Sequence, residues 1–159
     1  LGVGGSSRLY QEIRDKRGLA YYVHSTVEYF KETGCQVIEA SCAPDKVNLV
    51  LDLIHEELEK IEKEGLKKEE LERVKEYVKG SYVLRLEDTL SLALWLGERV
   101  LLEGKLPSVK KELEKYDMVK GEEIQELAKT IFQRENYSGV VVGPLKEGDV
   151  RWAGWLSSA

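Results

Sequence analysis

The sequence predicts an α+β domain, a mainly antiparallel sheet with helices packed on one face. Three observations lead there. Residues Leu19–Tyr29 alternate apolar and polar positions and are followed, across a short polar turn, by a second run of strand character at Cys35–Ala43. From Asp45 to Phe132 the apolar residues recur at three- and four-residue intervals, the helical period. A short apolar run, Tyr137–Val142, then closes the pattern as a predicted third strand stopped by Gly143 and Pro144. A length of 159 residues fits about one domain with room for a sizeable core.

Taken in order, the chain opens on a glycine-rich loop at Gly2, Gly4 and Gly5, where backbone angles closed to other residues are open. Ser6 or Ser7 can cap a helix running from Ser7 to Arg14, with Leu9 and Ile13 on one face. Asp15, Lys16, Arg17 and Gly18 end it. In the strand that follows, the odd positions Leu19, Tyr21, Val23, Val27 and Tyr29 form the expected buried face, and Tyr22, His24, Thr26 and Glu28 the polar one. Lys31–Gly34 is the turn of a hairpin. In the second strand Ile38, Ala40 and Cys42 share a face.

Pro44 and Asp45 open a helix carrying Val47, Val50, Ile54, Leu58 and Ile61, and Gly65 ends it. The next helix runs from Lys67 or Lys68 to about Leu86, with Leu71, Val74, Val78 and Tyr82 on its apolar side. Leu90–Leu96 is apolar all round, the mark of a buried helix. Val109–Tyr116 and Glu122–Phe132 are two further helices. The tail, Leu145–Ala159, holds Trp152 and Trp155 without a period, and reads either as a packed extension or as a mobile end.

Composition excludes several functions. A net charge of −5, with basic residues spread among acidic ones, argues against a nucleic-acid partner. No stretch approaches the ~20 apolar residues that a membrane helix needs. The only cysteines, Cys35 and Cys42, should point to opposite faces of one strand, so two buried free thiols in a reducing compartment are expected, and with them a cytoplasmic location.

Chemistry is sparse. A glycine loop before a helix can cradle phosphate, but neither the P-loop nor the dinucleotide spacing is present, and a flexible turn is the simpler reading. The two histidines, His24 and His55, lie on different elements. Glu59 stands where a His-Glu-x-x-His helix would need its second histidine, so His55 reads as a surface histidine and no metal site is expected in this chain. No nucleophile elbow is present, and no catalytic residue is identified.

The run LGVGGSSRLYQEIRDKRGLAYYVHS resembles the second-half domain of the pitrilysin and insulinase family of zinc peptidases, which includes the mitochondrial processing peptidases. KEGLKKEELERVKEYVKGSYVLRLEDTLSLALWLGERVLLEGK is similar to the helical region that follows in that family, and the likeness reaches Val142-Gly143-Pro144. The resemblance implies the same α+β architecture, with a strand and most of a helix ahead of the glycine loop. The expectation is therefore a domain over 1–144, lacking its first strand and part of its first helix, and a tail over 145–159.

The resemblance also implies that the zinc, bound by an inverted His-x-x-Glu-His motif, belongs to a first-half partner domain in the same or another chain. Arg14 and Tyr21 match the family residues that reach toward the peptide substrate. A guanidinium can hold a carbonyl or carboxylate, and a phenol can donate to a developing oxyanion. Read without the resemblance, Arg14 is a solvated helix-end cation and Tyr21 a core residue. The expected function is thus the non-catalytic, substrate-positioning half of a zinc-dependent endopeptidase, inactive alone. The alternative is a degenerate relative serving as an assembly subunit. An unpaired sheet edge would favour a homodimer.

Overall fold

A computed structural model of the chain describes residues 1–30 and 32–152. The chain divides into two compact units, one formed by Leu1–Lys63 together with the chain from Ala128 onward, the other by Glu64–Leu127.

The first unit is built on a hairpin. Strand β1 (Ala20–Tyr29) pairs antiparallel with β2 (Gly34–Cys42). Of the turn joining them, Lys31 lies outside the described residues. Helix α1 (Val47–Glu64) follows a single 3₁₀ turn at Pro44–Lys46 and buries Val50, Leu53, Ile54, Leu58 and Ile61, a stripe at helical spacing. Against it pack Leu9, Ile13, Ala20 and Val23, forming one cluster to which half-buried Leu19, Ile38, Cys42, Phe132 and Tyr137 are added. Tyr137 donates from its hydroxyl to the Phe132 carbonyl at 3.2 Å, and burial pushes its pKa up to about 12.

The face expected of β1 is corrected by a β-bulge. Ala20 pairs with Cys42 and Tyr22 with Ser41, so Tyr21 is the extra residue on its strand. One added residue reverses the alternation on either side of it. Ala20 is therefore buried and Tyr21 exposed, while beyond the bulge Val23 and Ser25 are buried as the odd face predicts; Val27 and Tyr29, on that same face, are exposed because the core cluster stops short of the hairpin's far end. On β2, Ile38 and Cys42 pack on the core but Ala40 is exposed. The thiols are not both buried either: Cys35 is exposed and Cys42 half-buried, with its pKa raised by desolvation and by Asp45.

The expected third strand is absent. Tyr137–Val142 follows a 3₁₀ turn at Arg134–Asn136 and forms no regular secondary structure, with Val140 and Val142 exposed. A strand requires a hydrogen-bonded neighbour, and among the described residues the sheet has two strands only. The tail is packed as far as it is described. Asn48, in the first turn of α1, donates to the Asp149 carbonyl and accepts from the Arg151 amide, both at 2.8 Å, and Arg151 meets Asp52 at 3.1 Å. Residues 153–159, with Trp155, lie outside the described residues.

The second unit is helical: α2 (Lys68–Leu86), α3 (Thr89–Glu103) and α4 (Val109–Met118), followed by the start of α5 (Gly121–Ile131). Asp88 caps α3 by accepting from the Ser91 amide at 2.7 Å. Trp95 of α3 is buried and stands edge-on to Tyr82 of α2, with ring centroids 5.9 Å apart, and Tyr82 in turn meets Tyr116 of α4 at 6.1 Å. The burial expected of Leu90–Leu96 is met only in part, by Trp95 and the half-buried Leu92 and Leu96. Leu90, Leu94 and Leu101 are exposed, because only the side bearing Trp95 is packed within the unit. Among the described residues no helix is long and apolar enough to cross a membrane.

Leu58 is 2% exposed in the centre of the first unit's core. Leu58→Ala is expected to lower stability by about 2–5 kcal/mol in urea denaturation. Leu84→Ala, at an exposed position of α2, is expected to change it by about 0.5 kcal/mol or less.

Candidate functional site

The glycine loop, the turn of helix after it and the bulged start of β1 meet in one place. The loop is fixed rather than flexible. Gly2 donates to the buried Ser25 hydroxyl at 3.0 Å and accepts from the Ser25 amide at 3.2 Å, so the loop lies along β1. A side chain on Gly2 would bring Cβ within 2.7 Å of the Ser25 nitrogen. Gly4 has φ +80°, a left-handed conformation that favours glycine. Gly5 faces the ring of Tyr10, and its carbonyl accepts from the Gln11 side chain at 2.6 Å.

Tyr10–Asp15 is a π-helix rather than the α-helix expected from Ser7 to Arg14. Its i→i+5 bonding is carried by the Lys16 amide donating to the Gln11 carbonyl at 3.0 Å. The Leu19 amide donates to the Ile13 carbonyl at 2.9 Å, leading the chain directly into β1. Leu9 and Ile13 are fully buried. Arg14, next in sequence to Ile13, is on the exposed side.

Arg14 and Tyr21, the two residues singled out in the sequence, are brought together. The Arg14 guanidinium carbon lies over the Tyr21 ring at 5.4 Å from its centroid, and over the Tyr10 ring at 5.0 Å. Both distances are within the range of a cation–π attraction. Tyr21 is 84% exposed, which corrects its reading as a core residue. The bulge removes the conflict between its place on an apolar strand face and its access to solvent. Among the described residues no carboxylate forms an ion pair with Arg14, so its N–H fork is available to another oxygen.

Two carboxylates of the site escaped the sequence reading. Glu12 holds both Lys16 and Arg17, whose guanidinium also donates to the Glu12 carbonyl at 2.8 Å, and the two cations lower its pKa to about 2. These contacts tie the basic turn to the π-helix. Glu57 is buried on the apolar face of α1, 2.5 Å from Lys60 and 3.9 Å from Arg8. Only its place in the α1 stripe hinted at this, and that signal predicts an apolar residue instead.

The histidines do not make a metal centre. His24 is beside Tyr22 on β1, and His55 is 4.0 Å from Glu59 on α1. Among the described residues no group of three or more His, Cys, Asp or Glu is placed to hold a metal ion. The two histidines, on separate elements, therefore offer no zinc ligand set among the described residues.

The family described as "Peptidase M16 inactive domain" matches residues 1–78. An uncharacterized zinc protease of Streptomyces coelicolor is 38% identical over 147 residues, which are 92% of this chain and 32% of that protein. A crystal structure of a conserved protein from Enterococcus faecalis superposes with a TM-score of 0.70 at 28% identity, covering 80% of this chain and 30% of that one. A peptidase M16 inactive domain from Pseudomonas fluorescens shares the fold, with a TM-score of 0.71 at 22% identity over 82% of this chain and 31% of its own. The chain spans about a third of the length of the curated relatives it matches.

Gly2→Ala is expected to lower the thermal midpoint, measured by circular dichroism, because the new methyl group meets backbone at 2.7 Å. For Glu12, the folded pKa is depressed from 4.5 to about 2. Its contribution is therefore full above pH ~4.5 and lost as the pH falls toward 2. Glu12→Gln is expected to be less stable than the parent at pH 7, and the gap in urea midpoints to close as the pH approaches 2.

Proposed function

We propose that this chain, whose residues 1–78 match the peptidase M16 inactive domain and which is similar to zinc proteases over nine-tenths of its length, is the substrate-positioning half of a zinc-dependent endopeptidase of the pitrilysin and insulinase family. The observation that carries this reading is the pairing of Arg14 with Tyr21 on the open side of the π-helix. Zinc and the hydrolytic chemistry belong to a partner domain, either upstream in one polypeptide or in a separate subunit.

The roles of this chain follow from its own side chains. Arg14 offers a planar set of donors that matches a peptide carbonyl or terminal carboxylate in two parallel hydrogen bonds. Tyr21, lifted from the sheet by the bulge, offers a hydroxyl to the carbonyl oxygen of the bond being cleaved. A donor that is already in place when negative charge develops on that oxygen needs little reorganisation. The fixed glycine loop and the buried Leu9–Ile13 pair keep both donors on rigid support.

The test uses the complete protein together with its zinc-bearing partner. Arg14→Ala and Tyr21→Phe are each expected to lower kcat/KM for peptide hydrolysis by about 10²–10³-fold, while zinc content and assembly are retained. Unchanged hydrolysis by both variants in an intact assembly would overturn substrate positioning and favour a purely structural subunit.

A further inference from the structure

Arg14 is a long cation on an exposed surface, and such side chains ordinarily sample many rotamers. Here two rings restrict it. Tyr21 is itself exposed on a bulge, whereas Tyr10 is half-buried, packs against the core cluster and borders Gly5. Tyr10 precedes Arg14 by four residues in the π-helix, whose wide turn brings such a pair to the same side, and its ring centroid lies 5.0 Å from the guanidinium carbon.

We propose that Tyr10 is a positioning residue, holding the Arg14 guanidinium by cation–π attraction so that its N–H donors stay directed at a peptide substrate's carbonyl or carboxylate. This rests on the substrate role of Arg14 set out above and extends it to a residue beyond that pair. An aromatic partner suits the task better than an acid. A carboxylate would occupy two of the five N–H donors and neutralise the cation, whereas a ring face attracts the charge and leaves the fork for a substrate oxygen.

The arrangement also explains the glycine loop without a phosphate. Gly5 has no side chain where the Tyr10 ring passes, 3.8 Å from the position a Cβ would take, and the Gln11–Gly5 hydrogen bond holds loop and π-helix in register. The loop is the floor of the ring that orients Arg14. A position held before substrate arrives reduces the ordering cost of binding.

The experiment compares Tyr10→Leu, Tyr10→Phe and Arg14→Ala in the complete protein with its zinc-bearing partner. With nitrogen-labelled arginine, the Arg14 Nε–H proton should resonate upfield in the ring current of Tyr10. It should move downfield in Tyr10→Leu and stay upfield in Tyr10→Phe. In peptide hydrolysis Tyr10→Leu should raise KM by about threefold to tenfold with little change in kcat, and Tyr10→Phe should recover most of that loss.

An Arg14 resonance unmoved in Tyr10→Leu would overturn the proposal. So would hydrolysis that falls in Arg14→Ala but not in Tyr10→Leu, and that result would leave the substrate role of Arg14 standing. If Arg14→Ala also leaves hydrolysis unchanged, the substrate role itself fails, and the role of Tyr10 fails with it.

Discussion

The burial of Leu9 and Ile13 against α1 is the contact on which the rest of the site depends. Both side chains are fully enclosed, so the short π-helix has one rotational setting and one depth. Burying two such residues contributes on the order of 3–6 kcal/mol of transfer free energy, an upper estimate against an extended chain. A six-residue helical segment has no comparable stability of its own. Once Ile13 is inside, Arg14 is outside, and the basic turn must leave on the side where Glu12 gathers Lys16 and Arg17.

The bulge supplies the second half of the site. Val23 and Ser25 face the core, and regular alternation would carry Tyr21 in with them. One extra residue opposite the Cys42–Ser41 step places Ala20 inside instead and leaves the tyrosine ring beside Arg14. Ser25 also anchors the glycine loop through Gly2. Thus β1 joins the core, the loop and the exposed tyrosine, and a change in its register would disturb all three.

Much of this was legible from sequence. The hairpin, α1 and the order of the later helices follow from periodicity, because a repeat of two or of about 3.6 is set by backbone geometry alone. Arg14 and Tyr21 were legible only through family resemblance, since neither residue type at that spacing implies a site. Tyr10 and Glu57 gave no usable signal. The former looks like one more aromatic on a helix, and the latter breaks the apolar stripe that predicts burial. The third strand failed at Tyr137–Val142 because apolar residues favour an extended chain but do not supply the neighbouring strand. The burial expected of Leu90 and Leu94 failed because composition does not say how many sides of a helix find partners.

The sequence by itself determined the α+β class, the hairpin and the helical stripe of α1, all consequences of local period and of glycine and proline placement. The tertiary structure alone decided that Tyr21 faces outward, that Tyr10 and Tyr21 share one guanidinium, and that the glycine loop lies along β1. These relations depend on where one residue is added to a strand and on which side chains a small core can enclose. Both are settled by packing among residues far apart in the chain.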